Sequence, residues 1–171
     1  MEHNTLHIVS HSHWDREWYL PFEEHRVRLV DLLDTVIDTL ERDPEFHSFH
    51  LDGQMIALDD YLEIRPENRP RIERLVCEHR LFVGPWYVLQ DEYLTSGEST
   101  VRNMLYGLQS ARRFGKPAMI GYLPDSFGNI SQMPQILRGF GIDTAIFGRG
   151  VHRVGKGPGG YYSELTWRSP D

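Results

Sequence analysis

The stretch HSHWDREW, at residues 11–18, places two histidines, two acids, an arginine and two tryptophans directly behind the short apolar run LHIV. If that run is a buried strand, alternate residues point to the same side, so His11, His13 and Asp15 share one face. A histidine and a carboxylate two positions apart form a compact half-site for a divalent metal, and nitrogen with oxygen ligands favours zinc over calcium or magnesium. The structural alternative is a histidine held in the core by one hydrogen bond. The spacing favours zinc.

Asp125, in the segment LPDSFGN, is the natural third ligand for such a site. It follows the apolar run IGYL, so a parallel arrangement of strands brings it to the same crevice as HSHWD. An aspartate just before a helical segment also caps helices by accepting a backbone hydrogen bond. The local sequence leaves both uses open.

Aromatic residues flank the acidic segments, which is typical of a site that holds the apolar face of a sugar ring. They are Trp18, Trp86, Tyr87 and Phe127. Trp86 lies inside VGPWYV and is better explained by core packing, whereas Trp18 follows its strand among polar residues, where a ligand can reach it. The acid pair Asp91 and Glu92 is either part of a solvated loop or a partner for sugar hydroxyls.

Strand-like and helix-like segments alternate along the chain and must position these residues. Apolar runs near LHIVS, FHSFHLD, LFVGPWYVL, AMIGYL and TAIFGRG predict strands, and helical patterns cover 21–44, 55–64, 67–80, 98–115 and 130–141. The apolar face predicted for the first helix is Val27, Val30, Leu33, Ile37 and Leu40. Strands joined by helical crossovers predict an α/β domain with a parallel sheet, either open or curled toward a barrel.

The polar segments HSHWD, LDGQ, LQDE and LPDSFGN each follow one of these apolar runs. In parallel α/β folds the active site lies beyond the carboxyl ends of the strands, so the four segments are predicted to face one crevice. The glycine-rich stretch at 149–160 is predicted to be a mobile loop, and it lacks the residue order of a phosphate-binding P-loop.

Composition and charge narrow the class of protein. A chain of 171 residues, 40% of them hydrophobic, is long enough for one domain with its own core. The net charge, 18 − 25 = −7, disfavours nucleic-acid binding. A single cysteine excludes an internal disulfide. We find no secretion signal and no run of about 18 apolar residues, so we expect a cytoplasmic protein without a membrane partner.

Five segments together resemble the N-terminal catalytic region of the glycoside hydrolase family 38 α-mannosidases: HSHWDREW, LDGQ, VGPWYVLQDE, SGESTVRNMLYG and GYLPDSFGNISQMPQIL. The resemblance runs from about His7 to the end of the chain. It is closest to the bacterial, cytoplasmic branch, which includes mannosylglycerate hydrolases. It implies a zinc-dependent, retaining hydrolysis of α-mannosides, on a parallel sheet or distorted β/α barrel of the glycoside hydrolase/deacetylase type.

The family pattern implies roles for individual residues. His13 and Asp15 match two zinc ligands, and Asp125 matches the residue that is both a ligand and the nucleophile. The other matches surround the bound mannose and the nucleophile, and they are Trp18, Phe127 and Arg149. Zinc in this family binds the 2- and 3-hydroxyls of the sugar, so an α-mannoside is the expected partner.

Family members are several times longer than this chain, and they take the general acid and a fourth zinc ligand, a histidine, from segments further along. Nothing after Arg149 matches either group. We therefore expect residues 1–171 to be a truncated N-terminal α/β catalytic domain that lacks the family's helical and β-sandwich domains and is inactive alone. The exposed edge of an incomplete sheet also favours a homo-oligomer.

Two alternatives stay open. A metal-dependent polysaccharide deacetylase shares this type of fold, but it uses an Asp-Asp pair after its first strand and a His-x-x-x-His motif after the next. Here the first strand ends in HSHWD, and His47 and His50 are only three positions apart. The second alternative is a fragment that binds zinc or mannose without turnover.

Overall fold

The computed structural model of the protein describes residues 5–150, 156–157, 160–161 and 164–170. Strands and helices alternate along these residues. In chain order they are β1 (His11–Ser12), α1 (Phe22–Arg42), β2 (Phe49–Leu51), α2 (Ile56–Ile64), α3 (Arg69–Cys77), β3 (Leu81–Phe82), α4 (Gly97–Ala111), β4 (Gly121–Leu123), α5 (Met133–Gly139), β5 (Ala145–Phe147), β6 (Lys156–Gly157) and β7 (Gly160–Tyr161).

The first five strands pair in parallel across the helical crossovers, which confirms the predicted α/β class. β1, β2 and β3 form one sheet, in which His11 lies opposite His50. β4 and β5 form a second parallel pair. A hydrogen bond of 2.9 Å from the Ala118 amide to the Val83 carbonyl joins the segments next to β4 and β3. The carboxyl ends of parallel strands lie at one edge of a sheet, so the polar segments that follow them are brought together there.

Helix α1 packs through one apolar stripe against α2, α3 and the strands β2 and β3. The buried apolar residues of the stripe are Leu29, Val30, Leu33, Val36, Ile37 and Leu40. The prediction for Val27 is wrong, since its side chain is 59% exposed. At 3.6 residues per turn, Val27 lies about 120° around the helix from the middle of the stripe, so its side chain faces away from the core.

A second apolar cluster surrounds Trp86, which is fully buried as predicted. The cluster takes its other buried members from α4, β4, α5 and the residues after α5: Met104, Leu108, Leu123, Met133, Leu137 and Ile142. Gly107 lets α4 approach the Trp86 segment closely, because a Cβ at that position would lie 2.1 Å from the Pro85 carbonyl oxygen. Nearby, the Asn103 side chain donates to the Val88 carbonyl and accepts from the Val88 amide. Helix α4 therefore fixes the segment that leads into LQDE.

The strand predicted over LFVGPWYVL is shorter in the structure. β3 contains only Leu81–Phe82. Gly84 adopts a left-handed φ of +71°, and Pro85 has no amide hydrogen to donate to a neighbouring strand, so the ladder ends before them. Beyond this point Trp86 makes one isolated parallel bridge to Gln54, which keeps the segment beside the end of β2.

The apolar run LHIVS is predicted to be a buried strand, and this prediction is wrong. Leu6, Ile8 and Val9 are 83%, 84% and 67% exposed, because they precede β1 and no described element covers them. The predicted glycine-rich loop lies mostly outside the described residues, although β6 and β7 within it pair in antiparallel fashion. In the part of the chain that the structure describes, no helix combines the length and apolarity needed to cross a bilayer.

Candidate active site

The three predicted metal ligands, His13, Asp15 and Asp125, meet beyond the ends of β1 and β4 and form the ligand group. Nε2 of His13 lies 3.5 Å from Oδ1 of Asp15 and 3.4 Å from Oδ2 of Asp125. One ligand atom from each residue lies within 4.8 Å of the other two. His13 and Asp15 follow β1 at alternate positions, and Asp125 comes two residues after the last residue of β4. The structure thus brings together side chains that are far apart in the sequence.

His11 does not join this group. Its Nδ1 lies 3.1 Å from the hydroxyl of Tyr122, and the two rings meet edge to face. His50, which is opposite His11 in the sheet, packs its ring against Tyr122 with centroids 4.7 Å apart. Burial lowers the pKa of His50 to about 4, and the nearby His11 adds to this shift. These rings connect β1 and β2 to β4 behind the ligand group.

Asp52, in the LDGQ segment after β2, is a residue that the sequence analysis did not assign to the site. Its side chain is fully buried, and Oδ1 lies 3.2 Å from Nδ1 of His13. Burial raises the pKa of Asp52, against the opposing effect of the Trp14 amide and His13. For His13, burial lowers the pKa, but attraction to Asp52, Asp15 and Asp125 outweighs it and leaves the pKa above its ordinary value. The only sign of Asp52 in the sequence was that it is an acid in a polar segment, LDGQ, that follows a predicted strand.

Arg149 lies beside Asp125, where the resemblance places a basic residue. Its Nη2 is 2.5 Å from Oδ1 of Asp125, and its Nε donates to the Asp125 carbonyl at 3.4 Å. The guanidinium also lies over the ring of Phe127, 4.1 Å from the centroid. Asn129 holds this arrangement by donating to the Arg149 carbonyl at 2.9 Å. The segment after β5 is therefore attached to the loop that carries Asp125.

A cleft of about 130 Å³ contains the ligand group. It is lined by residues that follow β1, β3 and β4: His13, Asp15, Leu89, Gln90, Asp91, Leu123, Pro124, Asp125, Ser126 and Phe127. The ring of Phe127 is 64% exposed and is available to a ligand. Trp18 is also exposed, but it is not part of this lining and instead contacts Tyr19 edge to face, with centroids 4.6 Å apart. Of the two predicted aromatic contacts, the structure places only Phe127 in the cleft.

Asp91 and Glu92 have different environments. Asp91 lines the cleft, whereas Glu92 is 1% exposed and its Oε2 accepts a hydrogen bond of 2.7 Å from the Ile130 amide. Burial raises the pKa of Glu92 to about 7, although its hydrogen bonds with Ile130 and Ser126 oppose the shift. Glu92 is therefore neither in a solvated loop nor a partner for sugar hydroxyls, the two environments that the sequence left open. It connects the LQDE segment to the loop that carries Asp125.

The ligand group fits a divalent metal such as zinc. Asp52 takes the Nδ1 side of His13, which leaves Nε2 to face the two carboxylates. Two atoms bound to one tetrahedral zinc at about 2.0–2.1 Å lie roughly 3.3–3.4 Å apart. The separations from His13 to Asp15 and Asp125 are 3.5 and 3.4 Å, close to that value. Three ligands leave a further position for another ligand or a substrate oxygen.

Comparison with known proteins places this chain in a family. The chain matches the glycosyl hydrolases family 38 N-terminal domain over residues 3–171. It is 50% identical to a protein of Halalkalibacterium halodurans named "Putative mannosylglycerate hydrolase", over 98% of this chain and 20% of that protein. It is 34% identical to human alpha-mannosidase 2C1, over 81% of this chain and 13% of that protein.

A solved structure shares the fold. The crystal structure of an alpha-mannosidase from Enterococcus faecalis V583 superimposes with a TM-score of 0.81 at 55% sequence identity, covering 84% of this chain and 16% of that one. The chain thus spans about a fifth or less of the length of these relatives. The family match, in contrast, extends over nearly all of its own residues. The chain belongs to glycosyl hydrolase family 38, as part of that family's N-terminal domain.

Proposed function

We propose that the protein containing this chain hydrolyses α-mannosides with retention of configuration, using a zinc ion held by His13, Asp15 and Asp125. The observation that carries the proposal is the meeting of these three side chains in a cleft, with Arg149 against Asp125. The names of the relatives support the mannoside as the substrate class. A deacetylase has no support from these relatives.

Asp125 is the proposed nucleophile. One of its oxygens faces Arg149 and the other faces His13, so the carboxylate is held from two sides within the cleft. In a retaining mechanism it attacks the anomeric carbon, and the glycosidic oxygen leaves from the opposite face of the sugar with a proton from a second carboxyl group about 5–5.5 Å away. Arg149 orients Asp125 and offsets part of its charge before the attack.

The sugar would lie between the ligand group and the aromatic wall of the cleft. Zinc, when bound, supplies a positive centre that holds two neighbouring sugar hydroxyls. Phe127 offers an exposed ring for the apolar face of the sugar, and Arg149 fixes that ring by packing on it. Trp18 is proposed as a further aromatic contact that lies outside the cleft lining of this chain. Asp91 also lines the cleft and is available to a hydroxyl of the substrate.

The general acid and a fourth metal ligand are proposed to come from residues beyond this chain, in a longer protein with further helical and β-sandwich domains. The small share of each relative that the chain covers supports this organisation. We propose that the catalytic domain is completed there as a distorted β/α barrel. Without its acid, the 171-residue chain is expected to show no turnover, because general acid catalysis contributes about 10²–10⁴-fold. A cytoplasmic location and self-association stay predictions from the sequence.

The test compares the 171-residue chain with a protein of the relatives' length that carries it. Zinc content is measured by elemental analysis, and activity with p-nitrophenyl α-mannoside and with mannosylglycerate. We expect zinc in the longer protein and activity that Asp125→Asn lowers by several powers of ten, because an amide is a poor nucleophile. Asp31→Asn is the matched control, since Asp31 is an exposed aspartate of α1 that does not line the cleft.

Three outcomes would each contradict one part of the proposal. A 5-fluoro mannosyl trapping reagent that labels Asp91 or Glu92 in place of Asp125 would identify a different nucleophile. An Asp15→Ala variant that keeps its zinc and its activity would remove the metal assignment. Zinc-dependent turnover by the 171-residue chain would show that the general acid lies within it.

A further inference from the structure

The turn after β2 presents a buried carboxylate to the back of the ligand group. Oδ1 of Asp52 lies 3.2 Å from Nδ1 of His13, and Oδ2 accepts hydrogen bonds from the Trp14 amide at 2.7 Å and from Nε2 of Gln54 at 2.8 Å. The Asp52 side chain is completely buried, so no solvent competes for these contacts. Its three partners account for both carboxylate oxygens.

The backbone of this turn adopts a conformation that most residues avoid. Asp52 has a φ of +43°, in the left-handed region. Gly53 has a φ of +65°, and a Cβ there would lie 2.8 Å from the ring of Tyr122, so the turn packs directly on β4. A non-glycine residue stays in the left-handed region only when its surroundings determine it strongly. The hydrogen bonds of Asp52 and the contact of Gly53 with Tyr122 provide those surroundings.

Gln54 extends the contact to a third segment. Its Nε2 donates to the Trp14 carbonyl at 2.6 Å as well as to Asp52, and its Oε1 accepts from the Leu89 amide at 3.2 Å. Trp14 lies between the ligands His13 and Asp15, and Leu89 lines the cleft. One buried amide therefore connects the segment that carries His13 and Asp15 to a second cleft-lining segment, at Leu89.

From these contacts we infer that Asp52 and Gln54 are positioning residues for the metal site, an inference that rests on the zinc site proposed above. A carboxylate that accepts from Nδ1 of a histidine fixes the proton on Nδ1 and leaves the Nε2 lone pair for a metal. It also fixes the rotation of the ring. Asp52 thus sets which nitrogen of His13 faces Asp15 and Asp125, and Gln54 holds Asp52 and the Trp14 backbone in place.

The test measures zinc affinity directly, by competition with a chromophoric chelator. Asp52→Asn keeps the volume of the side chain but replaces one acceptor oxygen by a donor, so it is expected to weaken zinc binding about 10–100-fold. Asp60→Asn is the matched control, because Asp60 is a buried carboxylate that pairs with Arg16 and has no contact with His13. It should leave the affinity unchanged within about twofold. Gln54→Leu should weaken binding in the same direction as Asp52→Asn.

A His13→Ala variant distinguishes a failure of the proposed zinc site from a failure of the positioning role. If this variant keeps the affinity of the unmodified chain, the proposed zinc site is wrong. If it loses zinc while Asp52→Asn and Gln54→Leu bind as tightly as the unmodified chain, the zinc site stands and the positioning role is wrong.

A second measurement does not depend on how well the variants fold. Long-range ¹H–¹⁵N spectra of the unmodified protein report which histidine nitrogen carries the proton. In the neutral form of the ring, reached at alkaline pH, His13 should carry its proton on Nδ1 both with and without zinc. A proton on Nε2 in the metal-free protein would overturn the inference.

Discussion

The burial of Glu92 predicts that the stability of the fold depends on pH. Its carboxyl group is 1% exposed, and burial raises its pKa from 4.5 to about 7. The folded protein therefore binds this proton more tightly than the unfolded chain does. The stability contributed by the group is fully present below about pH 4.5 and is lost as the pH rises through about 7. A shift of this size corresponds to about 3 kcal/mol, at about 1.4 kcal/mol per pKa unit.

Glu92→Gln removes this titration while it keeps an oxygen that can accept from the Ile130 amide. We expect the difference in unfolding free energy, variant minus unmodified chain, to increase by up to about 3 kcal/mol between about pH 4.5 and pH 8.5. Oε1 of Glu92 is buried without a hydrogen-bond partner, and the amide nitrogen of glutamine would take its place. The difference in unfolding free energy is therefore expected to include a constant offset at all pH values.

The assay is urea unfolding followed by tryptophan fluorescence at a series of pH values, with the slope checked for constancy. Glu98→Gln is the control, since Glu98 is an exposed residue of α4 that pairs only with Arg102 in the described part of the chain. Its difference curve should be flat. A flat curve for Glu92→Gln as well would refute the reasoning, because it would mean that Glu92 ionises in the folded protein as it does in water.

Three further predictions test the fold and the cleft. Burial lowers the pKa of His50 to about 4, so the stability that it contributes is present above about pH 6.5 and is lost toward pH 4. In urea unfolding, His50→Gln should reduce this loss of stability in acid by up to about 3 kcal/mol. Gly107→Ala should lower the midpoint of thermal unfolding strongly and by more than Gly139→Ala, because a Cβ at 107 meets the Pro85 carbonyl at 2.1 Å and one at 139 meets nothing within 4 Å. In a protein of the relatives' length, Phe127→Ala should raise KM for an α-mannoside more than Trp18→Ala does, because only Phe127 lines the cleft; equal effects would show that Trp18 reaches the bound sugar.

The convergence of the ligand group could be predicted from the sequence because it depends on two regular features. Alternation of side chains predicts His13 and Asp15 on one side, and parallel strands that end at one edge bring Asp125 to them. The same alternation also placed His11 on that side, which is wrong, because His11 lies against Tyr122. Both features are visible in the order of apolar and polar segments. Helix α1 was predictable for the same reason, except at Val27, where a three-residue spacing was extended one step beyond the stripe.

Other parts of the site depend on contacts between segments that no local pattern reports. Asp52 turns inward through a left-handed backbone angle, and its partner His13 is 39 positions away. Glu92 is buried because the Ile130 amide, 38 positions along the chain, meets its carboxylate. Trp18 is exposed next to the ligands in sequence, yet its ring lies against Tyr19 outside the cleft lining. Each of these placements requires the folded arrangement of two or more segments.

The long separation between the two halves of the ligand group also determines when the site forms during synthesis. Tyr122 and His11 touch across 111 positions, and the ligands beside them are similarly distant. A ribosome releases His13, Asp15 and Asp52 well before Asp125, so the nascent chain first carries only part of the proposed metal site. Contacts of such high sequence separation form late, because a long loop must close before they gain anything. The proposed metal site is therefore complete only once β4 has packed against Gly53.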